Sequence, residues 1–141
     1  MPDKNASAHW EGGLKDGRGT VSLESGALDA QPYGFNTRFE GKVGTNPEEL
    51  IAGAHASCFS MALSMILGED GMTASAIDTK ARVTLSEVDG GFAVTKSHLD
   101  TTVSVPGADA DAVRAACETA KANCPISKLL DCEITMDATI A

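Results

Sequence analysis

Between Pro47 and Leu67 the chain is apolar on every side of a helix, and this segment constrains the fold more than any other. Asn46 is a good N-cap, Pro47 suits the first helical position, and Glu49 falls three residues after the cap as in a capping box. Wound at 3.6 residues per turn, Leu50, Ile51, Ala54, Phe59, Met61, Ala62, Leu63 and Ile66 point in all directions. Such a helix belongs at the centre of a structure. Gly68 is the expected stop. The stretch from Leu50 to Leu67 is near the length of a membrane span. However, His55, Ser57, Ser60 and Ser64 interrupt it and no basic anchors flank it, so a long, central, buried helix of a soluble protein is expected.

Around this helix the periodicity is that of strands. Residues from Ala8 to Glu11 and from Gly19 to Leu23 read as short strands joined by glycine turns, and a third strand is expected from Tyr33 to Phe39 after a Gln31-Pro32 turn. Two longer strands, from Asp78 to Ser86 and from Phe92 to Val105, meet at the hairpin signal Asp89-Gly90-Gly91. A helix from about Asp109 to Ala122 carries Val113, Ala116 and Ala120 at helical spacing. Pro125 opens a short helix to about Leu130, and residues from Glu133 to Ile140 alternate as a last strand. This order predicts an α+β fold with mainly antiparallel sheets, in one domain over residues 1–141.

A net charge of -9 argues against a nucleic-acid partner, because phosphate recognition needs a basic face. The polar segment from Met1 to Gly13 lacks the apolar run of a signal peptide, so a cytoplasmic protein is expected, with its four cysteines as reduced thiols. Cys58 lies mid-helix among Ala54, Ala56, Ser57 and Ala62. A cysteine there commonly acts as a small hydrophobe, and with no helix N-terminus beside it the thiol needs a cation to become reactive. Cys124 immediately precedes Pro125, at the N-cap of the short helix, where amide groups favour a thiolate. Cys117 and Cys132, seven and eight residues away, match no zinc spacing and read as packing residues. Arg38 on a half-buried strand is either a snorkelling side chain or the missing cation. Glu48, in the first helical turn, favours the helix dipole whatever else it does. His55 stands one turn before Cys58 and reads as a hydrogen-bonded structural histidine, with a catalytic base as the other reading. His9 and His98 lie in strand patterns without visible partners. From residues alone, an enzyme, a redox sensor and a binding protein with incidental cysteines all remain open.

Several segments together resemble the OsmC (osmotically inducible protein C) family, related to the organic hydroperoxide resistance proteins. They are Ala8-His9-Trp10-Glu11-Gly12, the run from Gln31 to Gly41, the run from Thr45 to Ile51, the run from Ala54 to Leu63, and the run from Cys124 to Leu130. The resemblance implies an intertwined homodimer and a thiol peroxidase that reduces organic hydroperoxides. It implies Cys58 as the peroxidatic thiol, Cys124 as the resolving thiol, Arg38 as the activator of Cys58, and Glu48 as the residue that holds Arg38. It also implies no resident cofactor or metal, and an external thiol or dithiol reductant such as a lipoyl protein. Helix geometry adds a separate expectation. Glu48 and Cys58 are ten residues apart, about 15 Å along one helix axis and roughly 80° around it. A glutamate so placed cannot easily clamp an arginine that touches the Cys58 of its own chain, so sites shared across a homodimer are expected.

Overall fold

The computed structural model describes residues 2–141, which form two compact units that divide between Leu50 and Ile51. The first unit holds an antiparallel sheet of β1 (Ala6–Glu11), β2 (Arg18–Leu23) and β3 (Gln31–Tyr33), in that order. Pro32 sits in β3 opposite Thr20, on an edge strand where its missing N–H costs no ladder bond. The expected strand from Tyr33 to Phe39 does not form. The strand ends at Tyr33, and residues 35–39 wind into a short helix, α1 (Phe35–Phe39). The reason is local hydrogen bonding around Gly34. Its N–H donates to Thr37 Oγ1 (3.0 Å), the Thr37 hydroxyl donates back to the Gly34 carbonyl (3.0 Å), and the Arg38 amide donates to the same carbonyl (3.1 Å). Phe35 and Phe39 then stack one turn apart, ring centroids 4.9 Å from each other.

The long helix forms as expected at its start. α2 (Pro47–Glu69) begins where the Glu49 amide donates to Asn46 Oδ1 (2.9 Å), a cap worth about 1 kcal/mol. It passes through Gly68 and stops instead at Gly71. There the Met72 amide donates to Leu67 O (2.8 Å) and the Gly71 amide to Gly68 O (3.0 Å), with Gly71 at φ +76°. This is a Schellman ending, which needs the left-handed residue one turn later than the first available glycine.

In the second unit β4 (Ala76–Val88) and β5 (Gly91–Ser104) form a hairpin whose Asp89-Gly90 turn places Gly90 at φ +88°. The chain then passes through α3 (Ala110–Asn123) and α4 (Pro125–Leu129) to β6 (Glu133–Ile140), which pairs parallel to β5. One face of β5, carrying Ser97, Leu99, Thr101 and Val103, is buried. The core joins Leu99 and Val103 to Phe59, Leu63 and Leu67 of α2 and to Val113, Ala116, Cys117 and Ala120 of α3. α2 is long and apolar enough to cross a membrane by length and composition, yet only His55, Phe59, Leu63 and Leu67 are buried. Burial on every side is therefore not met within one chain: a single chain covers one stripe and leaves Met61 77% and Met65 61% exposed.

Candidate active site

α4 gathers the two thiols singled out by the sequence. Cys124 is the N-cap of α4, with Pro125 at the next position, and its sulfur accepts the Ser127 amide (3.4 Å). Cys58 packs against the buried cluster that contains Cys124, near enough for Cys124 and the Ile126 backbone both to act on its thiol. The expectation that no helix N-terminus reaches Cys58 is thus corrected. Its own helix offers none, but the first turn of α4 supplies an amide from another part of the chain. The balance still leaves the thiol protonated at neutral pH. Burial pushes the Cys58 pKa up most, the Ile126 hydrogen bond pulls it down, and the contact with Cys124 pushes it up again. A group that must react as a thiolate here needs a positive charge beside it.

The second pair belongs to the first unit. Arg38, in the last turn of α1, meets Glu48, in the first turn of α2, through Nη2 to Oε1 (2.7 Å) and Nε to both carboxylate oxygens (3.2 Å each). The guanidinium also lies over the Phe39 ring, 5.4 Å from its centroid. A pair this exposed adds at most about 1 kcal/mol to stability, so its consequence is geometric. The fork fixes the direction in which the guanidinium points. Arg38 is placed by a helical turn and not by the half-buried strand the sequence suggested.

Two residues near the thiols, Ser97 and Ser127, were not singled out by the sequence, and they join His55, which was. His55 is fully buried, and both ring nitrogens are taken by serines: Nδ1 to Ser97 Oγ (2.6 Å) and Nε2 to Ser127 Oγ (2.7 Å). Ser127 Oγ in turn lies 3.1 Å from Cys124 Sγ. His55 is therefore hydrogen-bonded as expected, with Ser97 and Ser127 as its bonded partners. The clue to Ser127 was its place three residues after an N-cap cysteine; Ser97 offered none, being 42 residues from His55. His98, without a visible partner in the sequence, bonds Thr135 Oγ1 (2.6 Å) and faces Asp100 and Asp137 at 3.2 and 3.3 Å. Cys117 is buried in the core as expected, and burial raises its pKa. Cys132 is half-buried just before β6, with its pKa raised by burial first and Asp131 second.

Burial also holds the His55 pKa below its ordinary 6.5. The unfolded chain then binds a proton that the folded chain refuses, so stability is complete above about pH 6.5 and falls as pH drops below it. Chemical denaturation from pH 7.5 to 5 should lose up to about 1.4 kcal/mol per pH unit through this one group. The variant His55→Gln should flatten that limb; an unchanged slope would contradict the assignment.

The OsmC-like protein family model matches residues 39–139. Peroxiredoxin OsmC of Escherichia coli strain K12 is 60% identical over 134 residues, covering 95% of this chain and 94% of that protein. The organic hydroperoxide resistance protein OhrB of Bacillus subtilis strain 168 is 32% identical over 111 residues, 78% and 79% of the two chains. The crystal structure of Bacillus subtilis OhrB superposes with a TM-score of 0.68 at 25% identity, covering 97% of this chain and 98% of that one.

Proposed function

The chain belongs to the OsmC-like protein family, and from that premise we propose that Cys58 is its peroxidatic thiol and Cys124 its resolving thiol. The chain is a cysteine-based peroxidase, and its substrates are hydroperoxides. The observation that carries the residue assignment is that Cys58 packs against the buried cluster holding Cys124, the N-cap of α4, and that the two thiols act on each other. In the first step the Cys58 thiolate attacks the hydroxyl-bearing oxygen of the peroxide. The O–O bond breaks, the alkoxide takes a proton and leaves as the alcohol, and Cys58 becomes a sulfenic acid. In the second step Cys124 attacks the Cys58 sulfur, forming the disulfide and releasing water. An external dithiol, with a lipoyl protein as the candidate, returns two electrons to the pair. No resident metal or cofactor takes part.

Arg38, aimed by Glu48, is the cation that Cys58 requires. α2 is continuous from Pro47 to Glu69, so Glu48 and Cys58 of one chain stand about 15 Å apart along it. Two antiparallel copies of α2 remove that separation by bringing Glu48 of one chain to Cys58 of the other. The uncovered stripe of Gly53, Ala54, Ser57, Met61, Met65 and Gly68 suits such a contact. Ser57 turns its hydroxyl back to the carbonyls of Gly53 (2.8 Å) and Ala54 (3.1 Å), while Ser64 is also exposed on this face. The reading is an intertwined homodimer, cytoplasmic, with two shared sites. Apolar helix surface around Cys58 favours organic hydroperoxides over hydrogen peroxide.

Steady-state assays with dihydrolipoamide as reductant test this reading. Expected is turnover of cumene hydroperoxide with a kcat/KM at least about tenfold above that for hydrogen peroxide. Light scattering should give twice the chain mass. Oxidation without turnover would mark a redox sensor, and full activity in a monomer would contradict the shared site.

A further inference from the structure

We propose that Ser127 and His55 form a proton relay that deprotonates Cys124 for the resolving step. This rests on the reading of Cys124 as the resolving thiol. The atoms form one chain: Cys124 Sγ to Ser127 Oγ at 3.1 Å, Ser127 Oγ to His55 Nε2 at 2.7 Å, and His55 Nδ1 to Ser97 Oγ at 2.6 Å. All four residues are buried, His55 and Ser97 completely.

The placement of His55 is costly unless it is used. It stands on the core stripe of α2, in line with Phe59 and Leu63 at intervals of four residues, where an apolar side chain of similar volume would serve for packing. An imidazole and two hydroxyls replace it, and they are stable there only because every group is satisfied. That buried polar chain ends on a sulfur, and it does so at the one thiol whose proton must leave in the second step. Among the described residues, no carboxylate or cation hydrogen-bonds the ring. The titratable neighbours are Cys124 through Ser127, Cys58 one turn on along the same helix, and Cys132, whose thiol is influenced by the Ser97 backbone. Burial keeps the ring neutral at neutral pH and so able to accept a proton.

The step balances as follows. With Nδ1–H donating to Ser97 Oγ, Nε2 carries the lone pair. The Cys124 thiol gives its proton to Ser127 Oγ, and the Ser127 hydroxyl proton passes to His55 Nε2. The Cys124 sulfur attacks the Cys58 sulfur; the S–S bond forms, the Cys58 S–O bond breaks, and the electron pair leaves with hydroxide. Hydroxide takes a proton from solvent and departs as water, and His55 later returns its proton to solvent. Ser127 touches the reacting sulfur and is a catalytic residue, while His55 acts through it.

Rapid mixing of the reduced protein with one equivalent of cumene hydroperoxide separates the two steps. Dimedone trapping reads the Cys58 sulfenic acid, and acid quench with mass spectrometry reads the disulfide. In Ser127→Ala and His55→Gln, Cys58 should oxidise at the unsubstituted rate, while disulfide formation at pH 7 should slow by about 10²-fold. His55→Gln keeps a hydrogen-bonding group towards Ser127 but cannot take up a proton, and Ser127→Thr, which keeps the hydroxyl, should restore the rate. The deficit should shrink as pH rises and hydroxide replaces the relay. Resolution at the unsubstituted rate in both variants would overturn the relay. So would an equal slowing of both steps at every pH, which is the signature of a merely structural role. Failure of Cys58 to oxidise in the unsubstituted protein would instead overturn the peroxidase reading, and the relay with it.

Discussion

Replacing Cys58 by serine will abolish peroxide consumption, whereas replacing Cys124 by serine will leave one turnover followed by inactivation. The difference follows from the order of the chemistry. In the proposed order only Cys58 meets the peroxide, so a hydroxyl in its place removes the nucleophile, and residual activity should not exceed the buffer rate. Without Cys124 the first step is intact, but the sulfenic acid has no neighbouring thiol to capture it. Excess peroxide then carries Cys58 to the sulfinic acid, which thiols do not reverse. Intact mass should show a gain of two oxygens on Cys124→Ser and none on Cys58→Ser. Serine at Cys117 or Cys132 should leave turnover unchanged, since neither has a part in the proposed steps. Equal activity loss in all four variants would contradict the assignment.

The second large effect concerns Arg38. Burial and the contact with Cys124 both raise the Cys58 pKa, and the Ile126 amide offsets only part of that. An adjacent guanidinium lowers a thiol pKa by about one to three units, so Arg38→Ala should slow Cys58 oxidation at pH 7 by about 10- to 10³-fold. The sign of the pH dependence is fixed. The thiolate fraction rises with pH, so the variant should recover towards the unsubstituted rate in alkaline buffer. Glu48→Gln should give a smaller loss of the same kind, because it loosens the fork without removing the charge. A mixed dimer tells where the guanidinium acts. Co-expressed chains carrying Arg38→Ala and Cys58→Ser form one site with both groups intact if sites are shared. Purified heterodimer should then show about half the activity of the unsubstituted dimer. If Arg38 served the Cys58 of its own chain, the heterodimer would fall to no more than the activity of the Arg38→Ala protein.

Much of this architecture was legible in the sequence, for identifiable reasons. Asn46, Pro47 and Glu49 mark the start of α2 through short-range chemistry, and Asp89-Gly90 marks the β4–β5 hairpin in the same way. Cys124 before Pro125 marks an N-cap, and the structure has one there. The misses were of two kinds. Residues 35–39 carry strand-like alternation, but the reciprocal Gly34–Thr37 hydrogen bonds turn the backbone into a helix. The α2 ending was set by Gly71 over Gly68, a choice made by two carbonyls that have to be satisfied. The other kind is long-range. Ile126 beside Cys58, and Ser97 and Ser127 on either side of His55, lie 42 to 72 residues from their partners, and no local periodicity encodes such contacts. The all-round apolar pattern of α2 was read as a demand for burial on every side, whereas one chain buries a single stripe of it. The homodimer proposed above would cover the rest.

The most direct measurement is a peptide map of the reduced protein after one equivalent of cumene hydroperoxide, quenched with an alkylating agent in acid. The account predicts a single disulfide joining Cys58 to Cys124, with Cys117 and Cys132 recovered as alkylated thiols. A Cys58 left unoxidised, or a disulfide formed through Cys117 or Cys132 in its place, would contradict it.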